Sequence, residues 1–331
     1  MRTIETISGL ENIKKGCVLT IGNFDGVHTG HQEILTAAKK TAVEKKTESV
    51  VMTFEPHPLA VLHPQKNPGI LTPLALKKYL IAEFGVDYLF VLKTNLEFLN
   101  LSPHDFMGEF LVNQIRPGVV VEGEDFNFGA ERAGDIQTLK KLAAEKDFAV
   151  SVINAKEVKY LTGRIAKISS TLIRDMLTSG EVADAAVALG RPYRLIEKVI
   201  PGRGKGKQLG FPTANMKTPP QIVPAEGVYA GFVEIGDSFE KICTAKGEIP
   251  AVFSIGRTTT YGAGQPLLIE AHLLAEDVGS LYGKWMAMDF VKRIRDQIKF
   301  DSETQLAGQI AKDCKRAKKF LTAENKQHPV S

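Results

Sequence analysis

The chain is poor in cysteine. Its three cysteines, Cys17, Cys243 and Cys314, lie far apart and outside any Cys-x-x-Cys pair. That argues against a disulfide framework or a thiolate zinc site and suits a reducing compartment. No apolar run approaches the ~18 residues that a membrane-crossing helix needs. The opening MRTIETISGL has no apolar core behind Arg2 and does not read as a secretion signal. Charge of one sign is scarce as well. A net charge of +4 over 331 residues is too weak to argue for nucleic acid or an anionic membrane as partner. No internal repeat or low-complexity tract is present. What remains has ordinary globular composition and a length that suits two domains. It is expected in the cytoplasm, with small anionic molecules as ligands. Weak or transient self-association is compatible with this composition.

The first half alternates between two textures. Apolar, β-branched runs at 17–22, 49–54, 87–92, 118–122 and 148–153 predict strands. Segments 31–45, 72–84, 102–115 and 135–146 between them have helical spacing, and Ser102 followed by Asp105 reads as a capping box. This pattern predicts an α/β fold with a doubly wound parallel sheet, whose ligands bind beyond the carboxyl ends of the strands. Two short helices are expected near 170–178 and 181–189, and the Gly/Pro break LGRPY follows at 189–193. Short apolar stretches divided by Gly and Pro then predict a small antiparallel β-barrel over 194–291, followed by a helix at 302–321. The expected domains are 1–185 and 190–322, with a polar tail at 323–331.

The strongest local signal is GNFDGVHTGH at 22–31, between the first strand and the first helix. Gly22, Gly26 and Gly30 let a backbone turn sharply and approach a ligand. His28 and His31 share a face of an incipient helix, at an N-terminus that favours phosphate. Two imidazoles there can donate to phosphate oxygens as charge builds. A partial metal site or a pair of surface side chains would look the same locally, and no third ligand stands nearby. Ser169, Ser170 and Thr171 with Arg174 one turn on form a second phosphate cradle, although a simple N-cap needs one such hydroxyl.

GNFDGVHTGH resembles the H-x-G-H signature of the nucleotidyltransferase superfamily. In this longer form it is similar to the bacterial bifunctional riboflavin kinase/FAD synthetase family. The resemblance continues through TFEPHP (53–58), LTPLALK (71–77), VEGEDFNFG (121–129) and ISSTLIRDML (168–177). It implies that Gly22, Asn23, Phe24, Asp25, Gly26, His28 and His31 bind ATP, with Ser169, Ser170, Thr171 and Arg174 closing over it. It implies an FMN pocket formed by Phe54, His57 and Pro58, where Pro56 and Pro58 would hold an extended loop. Phe54 packs equally well in a core. Asp125 can meet a ribose hydroxyl, and Phe126 and Phe128 can pack on flavin or on core. Asn127 stands where the family usually has Arg. The implied reaction is adenylyl transfer from ATP to FMN, which needs positioning and charge stabilisation, assisted by Mg²⁺, and no protein nucleophile.

The second signal is PGRGKGKQLGFPTAN at 201–215. It fits neither a Walker P-loop nor G-x-G-x-x-G. Taken alone it is a basic loop. Thr213 and Asn215 point the same way from an extended backbone and offer oxygens suited to Mg²⁺. Here the chain resembles the riboflavin kinase signature, and EGVYA (226–230), LLIEAHLL (267–274), 279–302 and QIAKDCKRA (309–317) extend the resemblance. It implies that Gly202, Gly204, Lys205, Gly206, Lys207, Gly210, Thr213 and Asn215 bind Mg–ATP. It also implies that Glu270, on one strand face with His272, is the general base toward the ribityl hydroxyl. Arg293 and Arg295 are candidates for flavin or phosphate, or are solvated charges. SIGRTTTYG at 254–262 departs from the family's N-I-G-x-R-P-T-F, with Ser254 in place of Asn. KDCKRAKK at 312–319 reads as the solvated face of the last helix. The expectation is a transferase that uses ATP twice, making FMN and then FAD. Two alternatives are an adenylyltransferase whose second domain only binds flavin, and a flavin carrier without activity.

Overall fold

The structure is a computed structural model and describes residues 1–66, 69–202, 204–257, 266–275 and 279–327. The chain divides into two compact units: Met1–Val158 with Ile165–Ser169, and Lys159–Arg164 with Ser170–Ser331.

The first unit is a six-stranded sheet in the order β1-β4-β3-β2-β5-β6. Its strands are β1 (Arg2–Ile4), β2 (Val18–Ile21), β3 (Ser49–Glu55), β4 (Tyr88–Lys93), β5 (Val119–Gly123) and β6 (Ala149–Ile153). Every pairing is parallel. The β-branched runs thus become the strands expected of them. The three-residue edge strand β1 was too short to show a period. Parallel strands covered on both faces need apolar side chains at every position, and β2 is buried throughout. Leu19, Ile21, Val50, Met52 and Phe90 pack on one face. Val18, Val119 and Val121 pack on the other, with Ala38 and Ala42 of helix α1 (Thr29–Glu44).

Strand β2 is the centre of the order. The chain leaves it toward β3 on one side and returns later to β5 on the other. Its carboxyl end, beside that of β5, is therefore the switch point where such sheets bind ligands. Helix α2 (Leu74–Ala82), a π-helical segment over Phe106–Ile115 and helix α3 (Ile136–Lys146) complete the expected alternation. Ser102 Oγ accepts from the Asp105 amide at 3.1 Å, as a capping residue should. The hairpin strands β7 (Glu157–Lys159) and β8 (Ile165–Lys167) escaped the sequence reading, because both are short and partly exposed.

The second unit begins with helices α4 (Ser170–Ser179) and α5 (Val182–Leu189), both expected. A closed barrel follows, in the order β10-β13-β12-β11-β14-β9. Its strands are β9 (Tyr193–Ile200), β10 (Ala214–Met216), β11 (Gly227–Gly236), β12 (Ile249–Arg257), β13 (Leu267–Leu273) and β14 (Trp285–Arg295). All pairings are antiparallel. Closure removes the unpaired edges that an open sheet of this kind would expose. Tyr229, Phe253 and Phe290 are fully buried and meet edge to face, Tyr229 and Phe253 standing 5.3 and 4.9 Å from Phe290. Helix α6 (Glu303–Gln327) runs on past the expected end at 321. Its Ala317 and Leu321 cluster with Val228, Ala230, Val252 and Ile294 of the barrel.

Candidate functional site

At the end of β2 the backbone makes its sharp turn through Phe24, Gly26 and Val27, with φ of 46°, 87° and 40°. The sequence suggests that glycines make this turn, yet of the three glycines only Gly26 takes a left-handed conformation. A β-branched residue at positive φ is an outlier, and such strain costs roughly 1–3 kcal/mol per residue. The surroundings hold it in place. Asp25 is buried, and its carboxylate accepts from the amides of Leu71 (3.0 and 3.1 Å) and Thr72 (3.0 Å). Thr72 Oγ1 in turn accepts from the Gly26 amide at 3.0 Å. Asp25 and the LTP segment thus lock the turn together.

His28 caps α1, and its Nδ1 accepts from the His31 amide at 3.2 Å. A backbone N–H can only donate, so the proton of a neutral His28 sits on Nε2 and makes that atom a donor. The two imidazoles stack with centroids 3.5 Å apart and 16° between planes. Gly30 permits this arrangement, since a Cβ there would stand 3.3 Å from His28 Nδ1. Burial holds the His31 pKa well below the usual imidazole value, helped by His28 and the Lys77 cation. His31 is therefore neutral near pH 7. Its Nδ1 is buried without a partner among the described residues, as are Asn23 Oδ1 and Thr29 Oγ1. Unpaired buried polar atoms are costly, and three within one ten-residue turn suit a site shaped for a polar ligand.

Sequence reasoning missed Thr29, Glu122 and Lys77. Thr29 is the variable position of the H-x-G-H motif and carries no signal of its own. Strand β5 pairs with β2 at Val18–Val119 and Leu19–Val120; beyond that, the Glu122 carboxyl accepts the Ile21 amide at 2.6 Å. Burial raises the Glu122 pKa well above the usual carboxylate value, so the switch point favours the protonated form of this group. Lys77 is only 4% exposed, and burial lowers its pKa against the opposing pull of Asp25 and Glu55.

The residues expected to hold FMN fall into two groups. Phe54, Phe98, Phe106, Phe110, Phe126 and Phe128 form a continuous aromatic series. Within it Phe128 is buried core, whereas Phe54 and Phe126 stay partly open. The loop expected to be extended is instead helical: Pro58 opens a turn over Pro58–Leu62, and His57 caps it, its Nδ1 accepting from the Leu59 amide at 3.1 Å. Proline's fixed φ suits that first helical position. Asp125 and Asn127 are exposed, and the Asn127 amide donates to the Asp125 carbonyl at 2.6 Å, turning back on its own loop. Ser169 ends the first unit. Ser170, Thr171 and Arg174 lie on α4 of the second, with Arg174 buried and Thr171 exposed.

In the barrel, Asn215 on β10 stands directly opposite Glu270 on β13. Opposed residues of an antiparallel pair share a face. Thr213 joins them, its Oγ1 lying 3.4 Å from Glu270 Oε1. His272 Nδ1 donates to the Pro212 carbonyl at 2.8 Å and so fixes the turn that carries Thr213. The basic loop is partly ordered as a helical turn over Lys205–Gln208, entered at Gly204 and left at Gly210, both with positive φ. Lys205 and Lys207 are exposed, and Gly206 is half-buried. Gly202 lies so close to the Asn215 amide that a Cβ there would collide with it.

The two arginines differ. Arg295 donates through Nε and Nη2 to Asp313 Oδ2 at 2.9 and 2.7 Å, and Asp313 is buried on α6. That side chain ties the helix to the barrel and is not brought to Glu270. Arg293 donates to the Glu226 carbonyl at 2.7 Å and keeps a buried Nε without a partner among the described residues. Of the variant loop at 254–262, residues 258–262 lie outside the described residues.

Among the described residues, no group of three or more His, Cys, Asp or Glu side chains could hold a metal ion. Thr213 and Asn215 are neutral oxygen donors. They fit a divalent cation that arrives with phosphate and water ligands, which is how Mg²⁺ is commonly bound.

Comparison with known proteins follows this division. The FAD synthetase family matches residues 10–172, and the riboflavin kinase family matches residues 189–321. The bifunctional riboflavin kinase/FMN adenylyltransferase of Escherichia coli (strain K12) is 36% identical over 324 residues, covering 96% of this chain and 98% of that protein. The protein of the same name from Haemophilus influenzae is 34% identical over 324 residues, covering 97% and 100%. A solved structure described as a macrolide-efflux protein from Streptococcus pneumoniae superposes with a TM-score of 0.81 at 29% identity, covering 96% of this chain and 99% of that one. Among the described residues here, no helix is long and apolar enough to cross a membrane.

Proposed function

The chain belongs to the bifunctional riboflavin kinase/FMN adenylyltransferase family, and from that premise we propose how its two reactions divide between its residues. It phosphorylates riboflavin to FMN and adenylylates FMN to FAD, with ATP as co-substrate in both. The adenylyltransferase is assigned to 1–185 and the kinase to 190–322. One observation carries this division: His28 and His31 stack in the first unit, whereas Thr213, Asn215 and Glu270 meet in the second.

In adenylyl transfer, an FMN phosphate oxygen attacks the α-phosphorus of ATP as the bond to pyrophosphate breaks. The Nε2–H of His28 donates to the phosphate oxygens that gain charge. Neutral His31, stacked against it, keeps that ring in place without adding a competing cation. The Gly22–Gly26 turn, with Asn23, lies against the nucleotide, and Ser169 of the same unit faces its phosphates. The half-open faces of Phe54 and Phe126, with His57, Pro58 and Asp125, receive the flavin. Aligned donors of this kind are each worth about 10²–10³ in rate.

In the kinase reaction, the Glu270 carboxylate takes the proton of the terminal ribityl hydroxyl as its oxygen attacks the γ-phosphorus and ADP leaves. Thr213 and Asn215 hold the cation of Mg–ATP, and the Gly202–Gly210 loop with Lys205 and Lys207 faces the phosphates. Bound Mg²⁺ neutralises phosphate charge as it develops. Arg293, with its unspent N–H, is assigned to the flavin side. The cytoplasm is the assigned location, in keeping with three free thiols.

The test is purified full-length protein with riboflavin and ATP, with and without Mg²⁺. FMN and then FAD should form only with the metal. Metal-independent turnover would remove the cation role from Thr213 and Asn215. FAD formed from supplied FMN, with none from riboflavin, would leave the barrel as a flavin-binding unit alone.

A further inference from the structure

Ser254, the first residue of the variant loop, is unused by the chemistry above, yet it faces the proposed base. It stands on β12 directly opposite Glu270 on β13, so both side chains leave the same face. The amide nitrogen of Gln297, just beyond β14, donates to Ser254 Oγ at 3.0 Å and to the Ile255 carbonyl at 2.9 Å. Those two bonds use both hydrogens of the amide. Gly256 makes the approach feasible, because a Cβ there would stand 3.0 Å from that nitrogen. Ser254 Oγ is thus an acceptor toward Gln297, and its own hydrogen is what it has left to give. Across the ladder lies a carboxylate, which can only accept. A hydroxyl that accepts from an amide is also a stronger donor.

We propose that Gln297 and Ser254 form a positioning relay that donates to Glu270 and keeps its carboxylate aimed at the ribityl hydroxyl during riboflavin phosphorylation. The proposal rests on the reading of Glu270 as general base. Neither relay member changes protonation: the proton passes from the ribityl hydroxyl to Glu270 as the new O–P bond forms. Thr213, 3.4 Å from Oε1, approaches the carboxylate from the β10 side, and Ser254 faces it from β12. The plain alternative is a staple. Gln297 also lies 3.4 Å from the Gly227 carbonyl and could simply join the end of β14 to β11 and β12. A staple affects melting. A relay affects kcat at unchanged KM and is restored by a hydroxyl at position 254.

The experiment measures kcat and riboflavin KM of FMN formation by the full-length protein, for wild type, Ser254→Ala, Ser254→Thr, Gln297→Ala, their Ala–Ala combination and Glu270→Gln, with melting midpoints alongside. Ser254→Ala and Gln297→Ala should each lower kcat about tenfold, the worth of one charge-assisted hydrogen bond. The riboflavin KM should stay within about twofold, because the loss falls on the chemical step. The double variant should be no worse than either single one, and Ser254→Thr should restore the rate. Wild-type kcat in both alanine variants, with Glu270→Gln inactive, would overturn the relay and leave the base assignment standing. Wild-type activity in Glu270→Gln would overturn both. If Gln297→Ala melts below the assay temperature, Ser254→Ala decides alone, because it leaves the bond from Gln297 to Ile255 in place.

Discussion

In the first unit the candidate groups sit on a turn between a parallel strand and a helix, where Phe24, Gly26 and Val27 all take positive φ. In the second they sit on ladder-paired strands of a closed barrel, where Asn215, Glu270 and Ser254 occupy consecutive register positions. Among the described residues, the turn leaves buried polar atoms unpaired at Asn23, Thr29 and His31. The barrel strip spends its polar atoms on one another, Thr213 on Glu270 and Gln297 on Ser254. A parallel sheet is buried on both faces and can present chemistry only where its strands end. A barrel has an outer face and can present chemistry along its strands. The first solution stores strain and unsatisfied groups for a ligand to relieve. The second holds its groups in a preformed network.

The sharpest way to break this comparison is His28→Ala. It should lower FAD formation from FMN by about 10²–10³, the worth of an aligned donor, and leave riboflavin phosphorylation unchanged. A purified kinase assay beside an adenylyltransferase assay checks both halves. Next in size is Arg295→Ala. It leaves buried Asp313 without its cation, held by the Gln309 amide alone among the described residues, and should cost the barrel about 3 kcal/mol of stability, as broken buried ion pairs do. Denaturation followed by Trp285, the only tryptophan and part of β14, reads this directly. An unchanged midpoint with weakened flavin binding would return Arg295 to the ligand.

Glycine substitutions sharpen the contrast further. Gly202→Ala drives a Cβ into the Asn215 amide and should impair the kinase and spare adenylylation. Gly30→Ala places its Cβ at 3.3 Å from His28 Nδ1, a milder clash, and should cost adenylylation about tenfold by tilting the imidazole.

The smallest effect is on pH dependence, and it belongs to the first unit. His31 titrates below its unfolded value, so its contribution to stability is lost as pH falls below about 6.5. Glu122 titrates well above its unfolded value, so its contribution is lost as pH rises above about 4.5. Between those values the two slopes oppose. Glu122→Gln should make amide-exchange protection of β2 and β5 rise with pH across this window, and His31→Gln should make it fall. The Trp285 transition should respond to neither.

Much of this was legible in the sequence. The β-branched runs at 49–54 and 87–92 became β3 and β4, and HTGH, FPTAN and IEAH mark the two candidate sites. What stayed hidden depends on distant partners. Arg295 read as a ligand-facing or a solvated charge, and its partner Asp313 on another element gave no signal. Glu122 carries no signal of its own in the sequence, and only its burial in the fold raises its pKa. The strain at Phe24 and Val27 had no signature, since glycine was the natural candidate for the turn. Ser254 read as a loss from the family pattern, and only the fold put Gln297 beside it.

The central claim is the division of labour, and one assay tests it: purified His28→Ala and Glu270→Gln, each given riboflavin or FMN separately with Mg–ATP. His28→Ala should turn riboflavin into FMN and stop there. Glu270→Gln should leave riboflavin untouched yet convert FMN to FAD at the wild-type rate. Loss of both reactions in either folded variant would contradict the account.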